Sequence, residues 1–400
     1  LYAGVETLQG LENEEAINKS PIGYGPFIPS GWGDGVMQFT RNPYYFQALD
    51  GLPKFDQIDF LLVEGGAQAA WEALQNGECD LLDSSYNWIE SPAVLDAVQP
   101  ESNFELLIEA GGGWTQLVFG IRPASYDDFY NPQAGDRPDL LGDNRTRQAI
   151  FQCLDRDAML AATLGDLGGV WPSFLPAERS QLEEDARLGY DPVMASELLA
   201  QVGWVDHDGD PSTPLQAWNV PGVTIGTSLS LELLVSPYDF HQDLGLAIQD
   251  DLAQCGVGIT MTTMPLDALY APGPEGPLFG RQFDLALISW GQMPGGDCQY
   301  YQGWNMPSEE NYWIGTNIAG LLSESNDTAC SGVTLALPGE KDAAVRQAEE
   351  MFLRSLPAVP LFSIPKVMVL PASGCFEGEI STESDFFVQI AQFGMGEMCP

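Results

Sequence analysis

Apolar positions recur along this chain with two periods, and the period switches from block to block. Ala67, Ala70, Trp71 and Leu74 share one face of a helix that Gly77 stops. Phe240, Leu244, Ala247, Ile248 and Leu252 repeat the helical spacing, with Gly256 as the stop. Met194–Val202 reads as another amphipathic helix, ended by Gly203-Trp204, and Glu340–Leu356 as a long one with Val345, Ala348, Phe352 and Leu356 inward. Asn144–Leu164 splits into two short helices: Ile150, Cys153 and Leu154 lie on one face of the first, and Asp155 caps the second. Between these helices lie strand patterns. Met37–Tyr45 alternates and then turns at Asn42-Pro43, and Leu52–Val63 is a turn followed by a strand. Cys79–Leu82, Trp114–Ile121, Ser228–Val235 and the run begun by Val257, Ile259 and Met261 complete an α/β pattern.

One strand differs from the rest. Phe283–Ser289 is almost continuously apolar, as expected of a strand buried on both faces. Trp290 and Gly291 end it, Pro294, Gly295 and Gly296 force a loop, and Tyr300, Tyr301 and Trp304 follow. A buried strand running into a Gly/Pro loop rich in aromatics fits the wall of a ligand cleft. It equally fits a core strand with aromatics packed behind a turn.

Composition narrows the choices. At 400 residues the chain is too long for one ordinary core, so two lobes or more are expected. No apolar run reaches the length of a membrane span. The chain opens at Leu1 without Met, signal peptide or lipid-anchor Cys, so a removed N-terminal segment is expected. Acidic residues number 57 against 15 basic, a net charge of -42 that repels phosphate backbones and excludes a nucleic-acid role. The acidic surface reads as that of a soluble secreted protein; a salt-adapted or acid-living source is the second choice.

Seven Cys at wide spacing, without a C-x-x-C pair, disfavour zinc and favour disulfides in an oxidising compartment. Cys298 follows the central strand, and Cys330 follows a polar stretch that must return near it. Cys375 and Cys399 bracket the tail. These two pairs are the expected bridges, each worth about 3 kcal/mol. The pairing of Cys79, Cys153 and Cys255 stays open. With only His207 and His241, no His-rich metal centre or His-based nucleophile is expected. Asp206-x-Asp208-Gly209-Asp210 has the alternation of a calcium loop. Pro211 and Ala217, however, stand where an EF-hand needs Gly and Glu, so it reads as an acidic surface turn.

Four short signatures follow in order: Gly23-x-Gly25-Pro26-Phe27, Arg41-Asn42-Pro43-x-Tyr45, Leu52-Pro53-Lys54-Phe55-Asp56-x-Ile58 and Ala73-Leu74-Gln75-Asn76-Gly77-Glu78-Cys79-Asp80. They resemble the G-T-G-P-Y, R-N-P-x-Y, P-K-x-D-x-I and L-Q-x-G-E-x-D elements of the family 5 extracellular solute-binding proteins, the oligopeptide-, dipeptide- and nickel-binding components of ABC importers. Arg147, Gln148, Ala149, Ile150, Asp155, Arg156 and Ala158 match that family's V-R-Q-A-I-x-x-A-I-D-R-E-A-I. Leu356–Phe362 is similar to its return strand.

The resemblance implies a two-lobed, type II periplasmic-binding-protein-like clamp with mixed sheets flanked by helices. The discontinuous first lobe would be 1–115 with 360–400, and the second 116–359. Family members carry a long segment before the first signature, which here starts at Gly23, so the first lobe is expected to be incomplete at its N-terminus. It also implies an extracytoplasmic monomer, in the periplasm or at the cell surface through a lipid anchor. Such a protein would capture a peptide or similar solute by lobe closure and hand it to an ABC permease, with no cofactor, metal or bond cleavage.

Peptide-binding members often carry W-x-x-D-Y at the central strand, with the Asp on the peptide's amine. Here Trp290 matches, but Met293 stands in the Asp position, and Asp297 is the nearest substitute. An ammonium buried without a carboxylate costs several kcal/mol, so amine anchoring at this position is not expected. Trp290, Tyr300, Tyr301, Trp304 and Trp313 offer flat faces and Gln292 a polar contact. Gly291 and Trp114, each on an apolar strand, complete the candidate set. Such a wall also suits an oligosaccharide. A secreted hydrolase using paired carboxylates is the alternative from another class, though no GxSxG occurs and Gly111-Gly112-Gly113 precedes a strand where a phosphate loop would follow one. A scaffold protein that keeps the fold without uptake is the third reading.

Overall fold

The computed structural model describes residues 23–85, 92–98, 101, 103–123, 131, 137–291, 297–372, 376–377 and 390–395. In chain order it forms β1 (Phe27–Gly33), β2 (Val36–Arg41), β3 (Gln57–Leu61), α1 (Gly66–Gln75), α2 (Pro92–Val98), β4 (Phe104–Phe119), α3 (Asn144–Cys153), α4 (Arg156–Thr163) and α5 (Pro192–Val202). Then come β5 (Trp204–Val205), β6 (Gln216–Ala217), β7 (Ser230–Val235), α6 (Asp239–Gln254), β8 (Gly258–Thr263), α7 (Leu266–Leu269) and β9 (Leu285–Gly291). The last elements are α8 (Glu324–Leu335), α9 (Lys341–Ser355), β10 (Ala358–Pro371), β11 (Phe376–Glu377) and β12 (Gly394–Met395).

Contacts divide the chain into two compact units, Leu1–Gly111 with Pro365–Pro400 and Gly112–Ile364. Both divisions fall inside strands, β4 and β10, so the chain passes between the units on continuous strand backbone.

In the first unit β1, β2 and β3 form an antiparallel sheet in that order. Asp34 and Gly35, both at positive φ, make the two-residue turn that joins β1 to β2. The signature residues act here as structural ties. Asn42 is buried, donates from Nδ2 to the Gly25 carbonyl at 2.8 Å and accepts the Tyr44 N–H at 3.0 Å. Arg41 donates to the carbonyls of Lys54 and Phe55 and pairs with Asp56 at 3.3 Å. Three motifs separated in sequence thus meet at one corner, where their polar groups satisfy backbone that would otherwise be orphaned. α1 buries Ala67, Ala70, Trp71, Ala73 and Leu74, and the Trp71 ring packs edge-on against Phe104 at 5.0 Å. The strand expected over Cys79–Leu82 shrinks to one bridge, Leu82 to Val369, because Asp80 breaks the apolar run.

The second unit is built on a sheet of order β10-β4-β9-β7-β8. β9 lies at its centre, antiparallel to β4 and parallel to β7, and β7-α6-β8 is a parallel crossover. Leu285, Ala286, Leu287 and Ile288 are wholly enclosed, which is why this strand reads as a continuous apolar run. Each of the three larger side chains contributes about 2 kcal/mol by burial. Asp191 caps α5 by accepting the Met194 N–H. Gly203 ends the helix at φ 115, where a Cβ would sit 2.8 Å from the Asn219 carbonyl carbon.

Arg147 and Arg156 are ties as well. Arg147 donates to the carbonyls of Leu141, Gly142, Ser355 and Leu356, fixing α3 to the start of β10. Arg156 donates to the carbonyls of Trp171, Leu188 and Pro360, and its guanidinium lies 4.3 Å from the Phe151 ring centroid. A Cys153–Cys255 disulfide joins α3 to the end of α6. Among the described residues no helix is long and apolar enough to cross a membrane.

Candidate aromatic wall at the end of the central strand

β9 continues through Trp290 and Gly291, past the end its sequence suggests, because β4 pairs with it that far: Trp114 opposes Trp290 and Gly113 opposes Gly291. The glycine at 113 has a local reason, since a Cβ there would lie 3.1 Å from the Trp290 carbonyl oxygen. This end of β9 is also the carboxyl end of its parallel neighbour β7, the edge at which open α/β sheets bind ligands.

Trp290 is half-buried and held from two sides. Its ring centroid lies 4.8 Å from that of Tyr300, and it packs with Tyr270 on the enclosed core of this unit. Burial pushes Tyr270 up to about 12, with the Tyr238 charge adding to the rise and Trp290 opposing it. Tyr300 is buried and donates to the Gly291 carbonyl. Tyr301 is buried too, donates to Gln116 Oε1 and packs 5.2 Å from Phe352.

Trp114 corrects an expectation: it presents no surface to a ligand. It is fully enclosed and stacks on Trp171 at 4.9 Å and 5°, so it backs the wall from within the core. Trp171 is brought there by β10, where its N–H donates to the Leu361 carbonyl. The loop after it is held by Glu349 of α9, a buried carboxylate that accepts from Ser173 Oγ, Ser180 Oγ and the Gln181 N–H.

Behind Trp290 runs a polar chain that the sequence did not suggest, buried except at the half-buried Ser289. Ser236 Oγ lies 2.6 Å from His241 Nδ1, His241 Nε2 lies 2.9 Å from Ser289 Oγ, and Ser289 Oγ lies 2.8 Å from Thr115 Oγ1. Burial pulls His241 down to about 4, so the ring is neutral at physiological pH. Its partners come from the residue after β7 and from β9, and Ser289 carries the chain on to Thr115 of β4. Only the helical spacing of α6, which places His241 beside the buried Phe240 and Leu244, hinted at an inward ring.

The remaining candidates lie elsewhere. Trp304 is 67% exposed and lines a separate groove of about 730 Å³ with Leu322, Glu324, Asp327 and Leu335. Trp313 is half-buried in a left-handed turn at φ 59, with its carbonyl bonded to Gly273 N–H. Gln292 and Met293 lie outside the described residues, as does the side chain of Asp297, whose backbone opens the 3-10 helix Asp297–Tyr301.

Cys298 is bonded to Cys330, which staples that 3-10 helix to α8. Cys375 and Cys399 lie outside the described residues. Cys79 is free, and burial together with Asp80 and Glu78 raises its thiol pKa, away from reactivity. Asp206, Asp208 and Asp210 spend their oxygens on the amides of Gly209, Asp210 and Ser212, and among the described residues no cluster of His, Cys, Asp or Glu has a metal-binding arrangement.

The family profile of the bacterial extracellular solute-binding proteins, family 5, matches residues 5–312. Di/tripeptide-binding protein 1 of Pseudomonas aeruginosa is 21% identical over 368 residues, 90% of this chain and 58% of its own length. The oligopeptide-binding protein AppA of Bacillus subtilis is 22% identical over 70% of this chain and 46% of itself. The chain therefore spans about half of the length of these curated relatives.

Among solved structures, AppA of Bacillus subtilis in complex with a nonapeptide superposes with a TM-score of 0.66 at 18% identity, covering 99% of this chain and 71% of that one. NikZ of Campylobacter jejuni in complex with Ni(L-His) gives 0.70 at 19%, covering 96% of this chain and 71% of that one. At this identity the likeness carries the fold, that of the type II periplasmic binding proteins.

Proposed function

Because the chain belongs to the bacterial extracellular solute-binding proteins of family 5, we propose that it captures a peptide or similar small solute outside the cytoplasm and presents it to an ABC permease. The observation that carries this reading is the wall around Trp290. A half-buried indole stands at the carboxyl edge of the central parallel strands, packed with Tyr270 and Tyr300 and backed by a rigid aromatic stack. Rigid flat faces at such an edge bind with little loss of side-chain freedom. Peptide ligands are favoured by the relatives, which include di/tripeptide- and oligopeptide-binding proteins. The two disulfides fit an oxidising, extracytoplasmic compartment.

Capture works by closure of two lobes, 1–115 with 360–400 and 116–359, and no bond is broken. Met293 stands where peptide-binding members often place an Asp, so the peptide amine is held without a carboxylate at that position, and Trp290 supplies the main contact. Calorimetry with di- to pentapeptides and with oligosaccharides tests the reading. Peptide binding supports it, exclusive binding of oligosaccharides reassigns the ligand, and a chain that binds neither contradicts it.

A further inference from the structure

The polar chain behind Trp290 links three strands through one ring. Ser236 directly follows β7, His241 lies in the first turn of α6, Ser289 is on β9 and Thr115 on β4. Ser236, His241 and Thr115 are 1%, 6% and 0% exposed, so water does not complete their hydrogen bonds. Thr115 and Ser289 are directly opposed in the β4–β9 ladder, and the next pair along is Trp114 with Trp290. What orders the Ser289–Thr115 contact therefore bears on the ladder next to the foot of the Trp290 ring.

One polarity of the chain starts from its first member. Ser236 Oγ accepts the Tyr238 N–H at 3.4 Å and keeps a proton that it can give to a bare His241 Nδ1. In that form the neutral ring carries its proton on Nε2, donates to Ser289 Oγ, and leaves the Ser289 proton for Thr115 Oγ1. Gln242 holds the same segment by donating from Nε2 to the Ser236 carbonyl at 2.6 Å. With that tautomer every donor in the chain points from the end of β7 towards β4.

We propose that His241, in its Nε2–H form, is a positioning residue for the Trp290 wall, setting the Ser289–Thr115 contact and through it the placement of Trp290. The consequence for capture rests on the function proposed above, whereas the positioning itself does not.

The test reads the ring first, without any ligand. The chain has two His, and exposed His207 is an internal reference. Long-range 15N–1H NMR at neutral pH is expected to show His241 with a protonated Nε2 and a bare Nδ1. Ser236→Ala should disturb that tautomer and move the Trp290 indole N–H resonance while the exposed Trp304 resonance stays. His241→Leu should move Trp290 further, and His241→Gln, which keeps a donor, should bring it back towards the wild-type position. With trialanine as probe, His241→Leu should weaken binding about tenfold and His241→Gln much less. An Nδ1–H ring, or a Trp290 resonance indifferent to Ser236→Ala and His241→Leu, overturns the proposal. If His241→Leu does not fold, Ser236→Ala decides alone. If the resonances move as stated and trialanine does not bind the wild type, the positioning holds and the capture reading is what fails.

Discussion

Trp290 and Trp304 sit in the same unit and differ in how the chain supports them. Trp290 is half-buried, packed on Tyr300, and backed by the enclosed Trp114–Trp171 stack and the polar chain through His241. Trp304 is 67% exposed beside α8, in a groove edged by Leu322 and Leu335. Its backbone is tied by the Gly303 N–H to Asp327 and by Asn305 to Thr316, but its ring stands free of the core. An aromatic residue after a buried strand is thus no index of a binding wall. What distinguishes the two is a backing that fixes one ring and leaves the other to solvent.

The largest contrast concerns stability. Trp114→Ala removes a fully enclosed ring from the stack behind the wall and should cost about 4 kcal/mol in denaturant unfolding. A cost below about 1 kcal/mol breaks the claim that the wall is rigidly backed.

The sequence made part of this contrast legible. The buried central strand, the α6 crossover and the long α9 helix all follow from their apolar spacing, because packing there depends on one element's own period. α8 did not: Asn326, Ala329, Cys330 and Val333 are its buried face, at helical spacing, but the Ser, Asn and Asp among them read as a polar loop. Trp114 and Tyr301 were placed on the wall because residue type reports size and flatness and says nothing of direction. The His241 chain stayed hidden because Ser289 and Thr115 lie far away in sequence. The family signatures in turn mark structural corners, as Asn42 and Arg147 show, and leave the ligand contacts unmarked.

The next effect is a pH dependence. His241 is lowered from 6.5 to about 4, so below pH 6.5 the unfolded chain takes up a proton that the native ring refuses. Stability falls as pH falls through that window and levels off below it, by about 3 kcal/mol from this group. Because the acidic surface titrates in the same range, the check is wild type against His241→Gln: the variant should show a shallower loss of stability between pH 6.5 and 4. Parallel curves contradict a buried neutral ring.

A comparable effect belongs to the disulfide. Cys298→Ser with Cys330→Ser opens the staple between α8 and the 3-10 helix that carries Tyr300, and should cost about 3 kcal/mol while also altering the Trp290 signal in near-ultraviolet circular dichroism through Tyr300. The smallest effect is that of Trp304→Ala, which removes an exposed ring and should shift stability by no more than about 0.5 kcal/mol.

The most direct test measures both rings against one ligand. Calorimetric titration of trialanine into the wild type, Trp290→Ala and Trp304→Ala should show about 2 kcal/mol of affinity lost at Trp290 and none at Trp304. Affinity lost at Trp304 and kept at Trp290 would contradict the assignment of the capture site to the end of the central strand.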